Sequence, residues 1–271
     1  MSTATTTGTS ELETAFAEGG PEPTVAQVEE LLTALEAGQV RAASPGDDGR
    51  WRVHGWVKRG ILAAFRLSET VEIDWPGGSV DKSLVPARRI TAGDGIRLVP
   101  GGTSVRRGAH LAPGVVVMPP SYVNAGAHVG AGSMVDSHVL VGSCAQVGEG
   151  VHLSTAVQLG GVLEPVGARP VVVEDEVFVG AQCGLYEGVV VHRGAVLAPG
   201  VTLTAGTTIY DLVEQREVRG EVPSGAVVVP GTRPARGDYA QRLGLSLYAP
   251  VIVKYRDSST DAATALEESL R

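Results

Sequence analysis

A six-residue rhythm between Val99 and Ile209 leaves this chain few folds to choose from. A small aliphatic residue stands at Val99, Val105, Leu111, Val117, Val123, Val129, Val135, Val141, Val147, Leu153 and Leu159. After an interruption the rhythm resumes at Val173, Val179, Leu185, Val191, Leu197, Leu203 and Ile209. Four places after most of these comes a second small or apolar residue, among them Ala109, Val115, Ala127, Val139, Ala145, Val151, Val157, Val177, Val189, Ala195 and Val201. A fixed short period marks a solenoid, whose turns bury their faces only against one another. Six is a multiple of the strand period and not of the helical 3.6, so the repeating units are short strands. The place after each start is often Gly, Asn or Asp (Asn124, Gly130, Asp136, Gly142, Gly148, Gly160, Gly180), which suits a sharp corner. Three units close one triangular coil, so residues three hexads apart are expected to stack.

Composition agrees with narrow coils. Aromatic residues make up only 4% of the chain while there are 36 glycines, and a thin prism has little room for rings. The net charge of −8 argues against a nucleic-acid surface and offers no long-range steering of an anion, so any anion site must be local. Two cysteines, Cys144 and Cys183, are too few for a disulfide framework and read as reduced core thiols. Met1 to Ser10 has neither the basic region nor the apolar run of a signal peptide, and no stretch approaches the ~20 apolar residues of a membrane span. The expectation is a cytoplasmic protein.

Before the repeats, residues 1–9 read as a disordered tail. Ser10 is placed to cap a helix running to Glu18, and Thr24 to cap a second with the apolar stripe Val28, Leu31, Leu32, Leu35 and a stop at Gly38. Ser44 to Gly49 reads as a turn, Arg50 to Val53 as a strand and His54 to Leu67 as a third helix; Pro76-Gly77-Gly78 then breaks the chain. Residues 10–95 thus form a mainly helical domain, 96–230 the coils, and 231–271 a C-terminal extension. Within the coils, Glu164 to Pro170 breaks the rhythm, and Asp211 to Glu221 reads as a charged hairpin arm before a last repeat at Val222 to Val228. Pro230 to Gly237 reads as a loop carrying Arg233 and Arg236, Leu245 to Lys254 as a strand and Asp261 to Leu270 as a helix.

A more specific likeness lies in the central block. Met134-Val135-Asp136, Val141-Gly142-Ser143-Cys144-Ala145-Gln146-Val147-Gly148, His152-Leu153-Ser154 and Gly160-Gly161-Val162-Leu163-Glu164-Pro165 together resemble the tetrahydrodipicolinate N-succinyltransferases of lysine and diaminopimelate synthesis. Trp56-Val57-Lys58-Arg59-Gly60-Ile61-Leu62, Ser121-Tyr122-Val123-Asn124, Ile209-Tyr210-Asp211, Val222-Pro223-Ser224-Gly225 and Ser246-Leu247-Tyr248 extend it over roughly residues 25–255. The resemblance implies a left-handed parallel β-helix of hexapeptide repeats, mainly β, with a small N-terminal α-rich domain and a short C-terminal extension. It further implies a homotrimer with active sites between neighbouring subunits. There succinyl-CoA would lie in a groove and the amine of an opened tetrahydrodipicolinate would attack its thioester.

Such chemistry asks for few groups. The thioester is already activated, so the protein must align the amine, take its proton and meet oxyanion charge with backbone N–H groups. Read from the residues alone, Asp136 is a corner Asp bonding its own turn; the resemblance makes it the proton acceptor. Glu187 is the second acidic candidate. Ser154, three hexads beyond Asp136, either orients substrate or fills a polar corner, and Gly160, Gly161, Leu163 and Glu164 are expected to line the substrate groove. For the cofactor, Gly180 and Ala181 are expected to offer backbone groups to pantetheine, and Arg233 and Arg236 to meet phosphate. Six histidines carry no HExxH or paired-cysteine spacing, so no catalytic metal is expected, although an ion on a trimer axis stays open. His110 and His128 are placed to stack.

Two departures from the family pattern matter. Gly184 stands where the resemblance expects a glutamate, and Thr155, Ala156 and Gln158 follow His152-Leu153-Ser154 where it expects glycines. They favour an alternative in which a diverged relative acylates a different amine or uses a different acyl-CoA. A third possibility, a trimeric scaffold without turnover, has no use for Asp136 or the Gly160 to Pro165 run.

Overall fold

The computed structural model describes residues 4–74 and 78–256. Its body is a left-handed parallel β-helix of two-residue strands, wound so that each coil lays one strand on each of three faces. The first face stacks His110–Leu111, His128–Val129, Gln146–Val147, Val172–Val173, Val190–Val191 and Glu221–Val222. On the second lie Arg97–Leu98, Val116–Val117, Met134–Val135, His152–Leu153, Phe178–Val179, Val196–Leu197 and Ala226–Val229. The third carries Ser104–Val105, Tyr122–Val123, Leu140–Val141, Gln158–Leu159, Gly184–Leu185 and Thr202–Leu203. The second residue of each coil strand points inward, and Val123, Val129, Val135, Val141, Val147, Leu153, Leu159 and Leu185 are all fully buried. Ala145, Val157, Val171 and Ala195 fill the space between them, so one continuous core runs the length of the prism.

The predicted rhythm holds from Val105 to Leu203 and slips at both ends: at the first coil, and at Ile209, which lies in an antiparallel hairpin while Glu221–Val222 takes the place beside Val190–Val191. Leu98, not Val99, pairs with Val117 and packs against the core. Seven residues therefore separate Leu98 from Val105 where six separate Val105 from Leu111. The extra residue sits in a corner containing Gly101 and Gly102, both at positive φ.

Three helices precede the coils: α1 (Ala4–Ala15), α2 (Val25–Glu36) and α3 (Gly55–Leu67). α1 begins upstream of the Ser10 cap and ends before Glu18, so the structure places helix where residues 4–9 were expected to be a tail. Leu12 and Phe16 are buried against the other helices, and a helix pinned at one end propagates at one hydrogen bond per residue. α2 is capped as expected: Thr24 Oγ1 accepts from Gln27 N at 3.3 Å while Gln27 Oε1 accepts from Thr24 N at 2.9 Å. Its stripe Val28, Leu31, Leu32 and Leu35 packs with Val57 and Ile61 of α3 and with Ala125 and Cys144 of the coils. The N-terminal region also holds two antiparallel hairpins, Ala43–Pro45 with Trp51–Val53 and Thr70–Ile73 with Ser79–Lys82, so it is less purely helical than its sequence suggests.

Beyond Leu203 the expected arm forms as an antiparallel hairpin, Thr208–Asp211 with Arg216–Arg219. The Arg233 loop is corrected to a strand: Thr232–Pro234 pairs with Ser246–Tyr248, and the short helix α4 (Asp238–Arg242) lies between them. The single strand expected over Leu245 to Lys254 is two, because Ala249-Pro250 separates Ser246–Tyr248 from Val251–Tyr255. The helix expected over Asp261 to Leu270 lies outside the described residues, and so does the break at Pro76-Gly77. Among the described residues, no helix is long and apolar enough to cross a membrane.

Candidate active site

The edges of the prism carry unlike surroundings. The edge from the third face to the first is occupied by the molecule's own helices. Leu32 and Ile61 sit so close to Gly108 and Gly126 that an added Cβ would meet them at 2.7 and 2.6 Å. Leaving the coils on this same edge, the Gly160 to Pro170 excursion is tied down by Leu163, which packs against the helical core, and by Ala168 O, which accepts from Lys58 Nζ. Arg169 Nε donates to Gly188 O at 2.8 Å. Lys58 is fully buried, and burial lowers its pKa. Leu163 is therefore a brace between helices and coils, where the sequence suggested a substrate contact, whereas Glu164 and Gly161 are exposed and Gly160 half-buried.

Asp136 lies on a different edge, between the second and third faces. Strand register stacks Asp136, Ser154, Gly180 and Ala198 there, each following a core residue of the second face. Asp136 is half-buried, and its Oδ1 accepts from Ser137 N at 2.7 Å, the local bond an Asp makes at a corner. Its Oδ2 has no hydrogen-bond partner among the described residues, so turn-capping uses one oxygen and leaves the other available. Above it Ser154 is half-buried, and its hydroxyl is likewise unengaged among the described residues.

Gly180 plays a part other than the one expected. Its N–H donates to Leu197 O at 2.8 Å and its O accepts from Cys183 N at 3.3 Å, so its backbone is spent within the coils. A Cβ there would stand 2.6 Å from both Leu197 O and Pro199 N, which is why the corner needs glycine. Ala181 N–H is the unengaged donor of the pair among the described residues.

Arg233 lies on the hairpin that leaves the coils from this same edge, since Val228 of the last coil pairs with Leu197. Among the described residues Arg233 Nη1 reaches only Pro234 O, at 3.4 Å, and Arg236 is exposed. Tyr248 on the returning strand accepts from Thr202 N at 2.8 Å, which anchors the hairpin over the far end of the third face. That face is thus bounded by the Asp136 edge along one side and the C-terminal hairpin at its top.

Glu187 is exposed, at φ 55°, on the edge shared with the excursion. Within one chain the two acidic candidates are therefore not brought together. The sequence reading missed Tyr186 beside it, whose ring folds back from the corner across the third face. It also missed Tyr248, which only the hairpin brings to that face.

A cavity of about 790 Å³ on the first face is the competing location, lined by Arg41, Trp51, His110, His128, Glu174 and His192 among others. His110 and His128 stack there as expected, with centroids 4.5 Å apart, and burial beneath Arg41 pushes His128 down to about 2. Many of its charged groups already have partners: Arg41 Nε donates to Gln146 Oε1 at 2.9 Å, Trp51 Nε1 to Glu174 Oε1 at 2.9 Å, and Arg193 pairs with Asp175. This is a seam joining the N-terminal hairpin to the coils. Its clasp is His192, whose Nδ1 lies 3.1 Å from Glu174 Oε1 and whose Nε2 lies 3.4 Å from Glu221 Oε2.

Hydrogen bonding to Glu174 raises His192 above its ordinary 6.5, against the cost of burial. The His192 bond in turn holds Glu174 down at about 2 from its ordinary 4.5. The His192 contribution is complete below pH 6.5 and fades as pH rises through its raised value, whereas that of Glu174 is complete above 4.5 and is lost as pH falls toward 2. His192→Gln is accordingly expected to lower the thermal midpoint by about 2–4 °C at pH 5.5, for roughly 1 kcal/mol, and to leave it nearly unchanged at pH 9. Equal losses at both pH values would contradict the ion pair.

Neither cysteine is placed for chemistry. Burial pushes the Cys144 thiol up to about 12 and the Cys183 thiol to about 11, and a thiol held protonated is a poor nucleophile. Among the described residues, no group of three or more His, Cys, Asp or Glu is arranged to hold a metal ion.

The family model for the N-terminal part of tetrahydrodipicolinate N-succinyltransferase matches residues 11–67, and that for the hexapeptide repeat of succinyl-transferase matches residues 170–205. A 2,3,4,5-tetrahydropyridine-2,6-dicarboxylate N-succinyltransferase of Paramagnetospirillum magneticum is 47% identical over 253 residues, covering 90% of this chain and 89% of that one. One of the same description from Polynucleobacter asymbioticus is 44% identical, covering 94% and 92%. A crystal structure from Campylobacter jejuni, provisionally described as a 2,3,4,5-tetrahydropyridine-2-carboxylate N-succinyltransferase, shares the fold at a TM-score of 0.52 and 20% identity, covering 86% of this chain and 64% of that one.

Proposed function

Because this chain belongs to the 2,3,4,5-tetrahydropyridine-2,6-dicarboxylate N-succinyltransferase family and is an N-acyltransferase, we propose that its chemistry takes place along the Asp136 edge and the adjoining third face. The donor is succinyl-CoA and the acceptor the amine of ring-opened tetrahydrodipicolinate. The observation that carries the location is the second oxygen of Asp136, without a hydrogen-bond partner among the described residues, on an edge that the N-terminal helices α2 and α3 leave uncovered, with Ser154 stacked above it.

In this reading the thioester lies against the edge, with pantetheine beside Ala181 N–H and the nucleotide phosphates toward Arg233 and Arg236. The amine attacks the thioester carbonyl, its proton passes to Asp136, and the CoA thiolate leaves. Ser154 orients the acceptor. Asp136 already holds one corner N–H, which fixes its rotamer, so little reorganisation is needed when the proton moves. A homotrimer supplies the other wall of the groove, and only such a neighbour can bring Glu187 near Asp136. The location of the enzyme is the cytoplasm, where its acyl-CoA donor is made.

The test is product identity. Incubated with tetrahydrodipicolinate and either succinyl-CoA or acetyl-CoA, the protein should yield the N-succinyl product and release CoA at least tenfold faster from succinyl-CoA, a difference of about 1.4 kcal/mol in transition-state binding. Turnover of acetyl-CoA alone, or of another amine only, would instead select the diverged relative. The replacements Gly184, Thr155, Ala156 and Gln158 favour that second reading.

A further inference from the structure

Tyr186 is the residue that gives the third face its shape. A Cβ on Gly184 would lie 2.6 Å from Tyr186 Cε2 and 2.9 Å from its Oη, and a Cβ on Gly160 would lie 2.8 Å from Tyr186 Cδ1. Two glycines on successive coils are thus both covered by one ring. Leu159 pairs with Leu185, so Gly160 and Tyr186 occupy the same corner one coil apart, and Gly184 lies on the strand just before Tyr186. The backbone of Tyr186 is fixed on both sides, its N–H donating to Leu203 O at 2.9 Å and its O accepting from Val189 N at 3.3 Å.

The phenol oxygen is not fixed in this way. It makes no hydrogen bond among the described residues, it is not among the buried unpartnered atoms, and the ring is half-buried. On the strands either side of Gly184, Gln158 Nε2 is directed at the carbonyls of His138, Ala156 and Val157, and Thr202 N is bonded to Tyr248 Oη. What remains is a hydroxyl held at a set height above Gly184 by a ring that cannot move inward, on the face bounded by the Asp136 edge.

We propose that Tyr186 is a specificity-determining residue whose hydroxyl donates a hydrogen bond to a carboxylate of a bound substrate. This rests on the placement of the site given under "Proposed function". The carboxylate could belong to the acceptor or to the succinyl end of the donor; both are short anionic groups that a single phenol donor would fit. The ring sets how far that group can approach the coil, because the two glycines beneath leave no other side chain to meet it.

The test compares wild type with Tyr186→Phe, which removes only the oxygen, and with Gly184→Ala, which keeps the oxygen but pushes the ring off its seat. Pimelate, a seven-carbon dicarboxylate, stands in for the opened acceptor in calorimetric titrations, and titrations with succinyl-CoA and acetyl-CoA report on the donor. If the acceptor carboxylate is the partner, both variants weaken pimelate about tenfold; if it is the donor's, both narrow the preference for succinyl-CoA over acetyl-CoA by about tenfold. In either case Tyr186→Phe keeps the wild-type melting temperature. Binding of all three ligands by Tyr186→Phe within twofold of wild type overturns the proposal, whether or not Gly184→Ala folds. These are binding measurements, so they are read independently of turnover. Failure of wild type to acylate tetrahydrodipicolinate counts against the function proposed above, while weakened pimelate binding or narrowed succinyl-CoA preference in Tyr186→Phe still supports Tyr186 as a carboxylate contact.

Discussion

Asp136→Asn is expected to lower kcat by about 10²–10⁴-fold, the usual worth of a positioned general base, while leaving the fold intact. The choice of Asn matters. Asp136 accepts Ser137 N–H through one oxygen, and an Asn side chain keeps that oxygen and its geometry. The corner should therefore close as before, with an unchanged melting temperature and unchanged affinity for CoA, while the group proposed to take the amine proton is gone. If the only task of Asp136 were to cap its own turn, the Asn variant would be nearly as active as wild type. Steady-state rates, with calorimetric CoA binding on the same preparations, separate the two cases. A fall in rate accompanied by lost CoA affinity would show that the variant disturbed the groove and did not remove a base.

The largest effect on stability is expected at Leu159→Ala, about 2–5 kcal/mol in urea or thermal unfolding. Leu159 is fully buried in the middle of the core column and pairs with Val141 below and Leu185 above. A two-residue strand offers the cavity no flexible neighbour to fill it, and in a solenoid each coil leans on the next, so two interfaces weaken together. Position adds to the effect, since Leu159 is the last core residue before the excursion leaves the prism. Hydrogen exchange should show the coils on either side of Leu159 losing protection before the ends do. Uniform loss along the chain, or a cost under about 1 kcal/mol, would mean that the column packs more loosely than its burial indicates.

The coils were legible because their physics is local: one inward residue per strand, a corner after it and a fixed period. Val105 to Leu203 falls on the faces the hexads assign. Where neighbouring coils no longer dictate the spacing, the reading slips. Leu98 displaces Val99 because no coil lies beneath the first one to hold its corner to six residues. Arg233 sits in a strand because its partner, Leu247, is remote in sequence, and three residues are too few to show alternation.

The candidate site was legible only in part, for a related reason. Asp136, Ser154 and Gly180 share an edge because they share a phase in the repeat, which the sequence displays. Leu163 turned inward to the helices, and Gly180 proved to be cleared space with its own backbone spent, because both depend on what packs against them. Tyr186 gave no signal in the pattern. Its importance comes from two glycines lying beneath it, a relation visible only once the coils are stacked.

The most direct measurement of the central claim is free-thiol release by the purified protein given succinyl-CoA, with and without tetrahydrodipicolinate, run beside Asp136→Asn. The account predicts thiol release only when both substrates are present, with an N-succinylated product, and release slowed at least a hundredfold in the variant. Rapid release by Asp136→Asn, or none by a wild type that binds CoA, would contradict it.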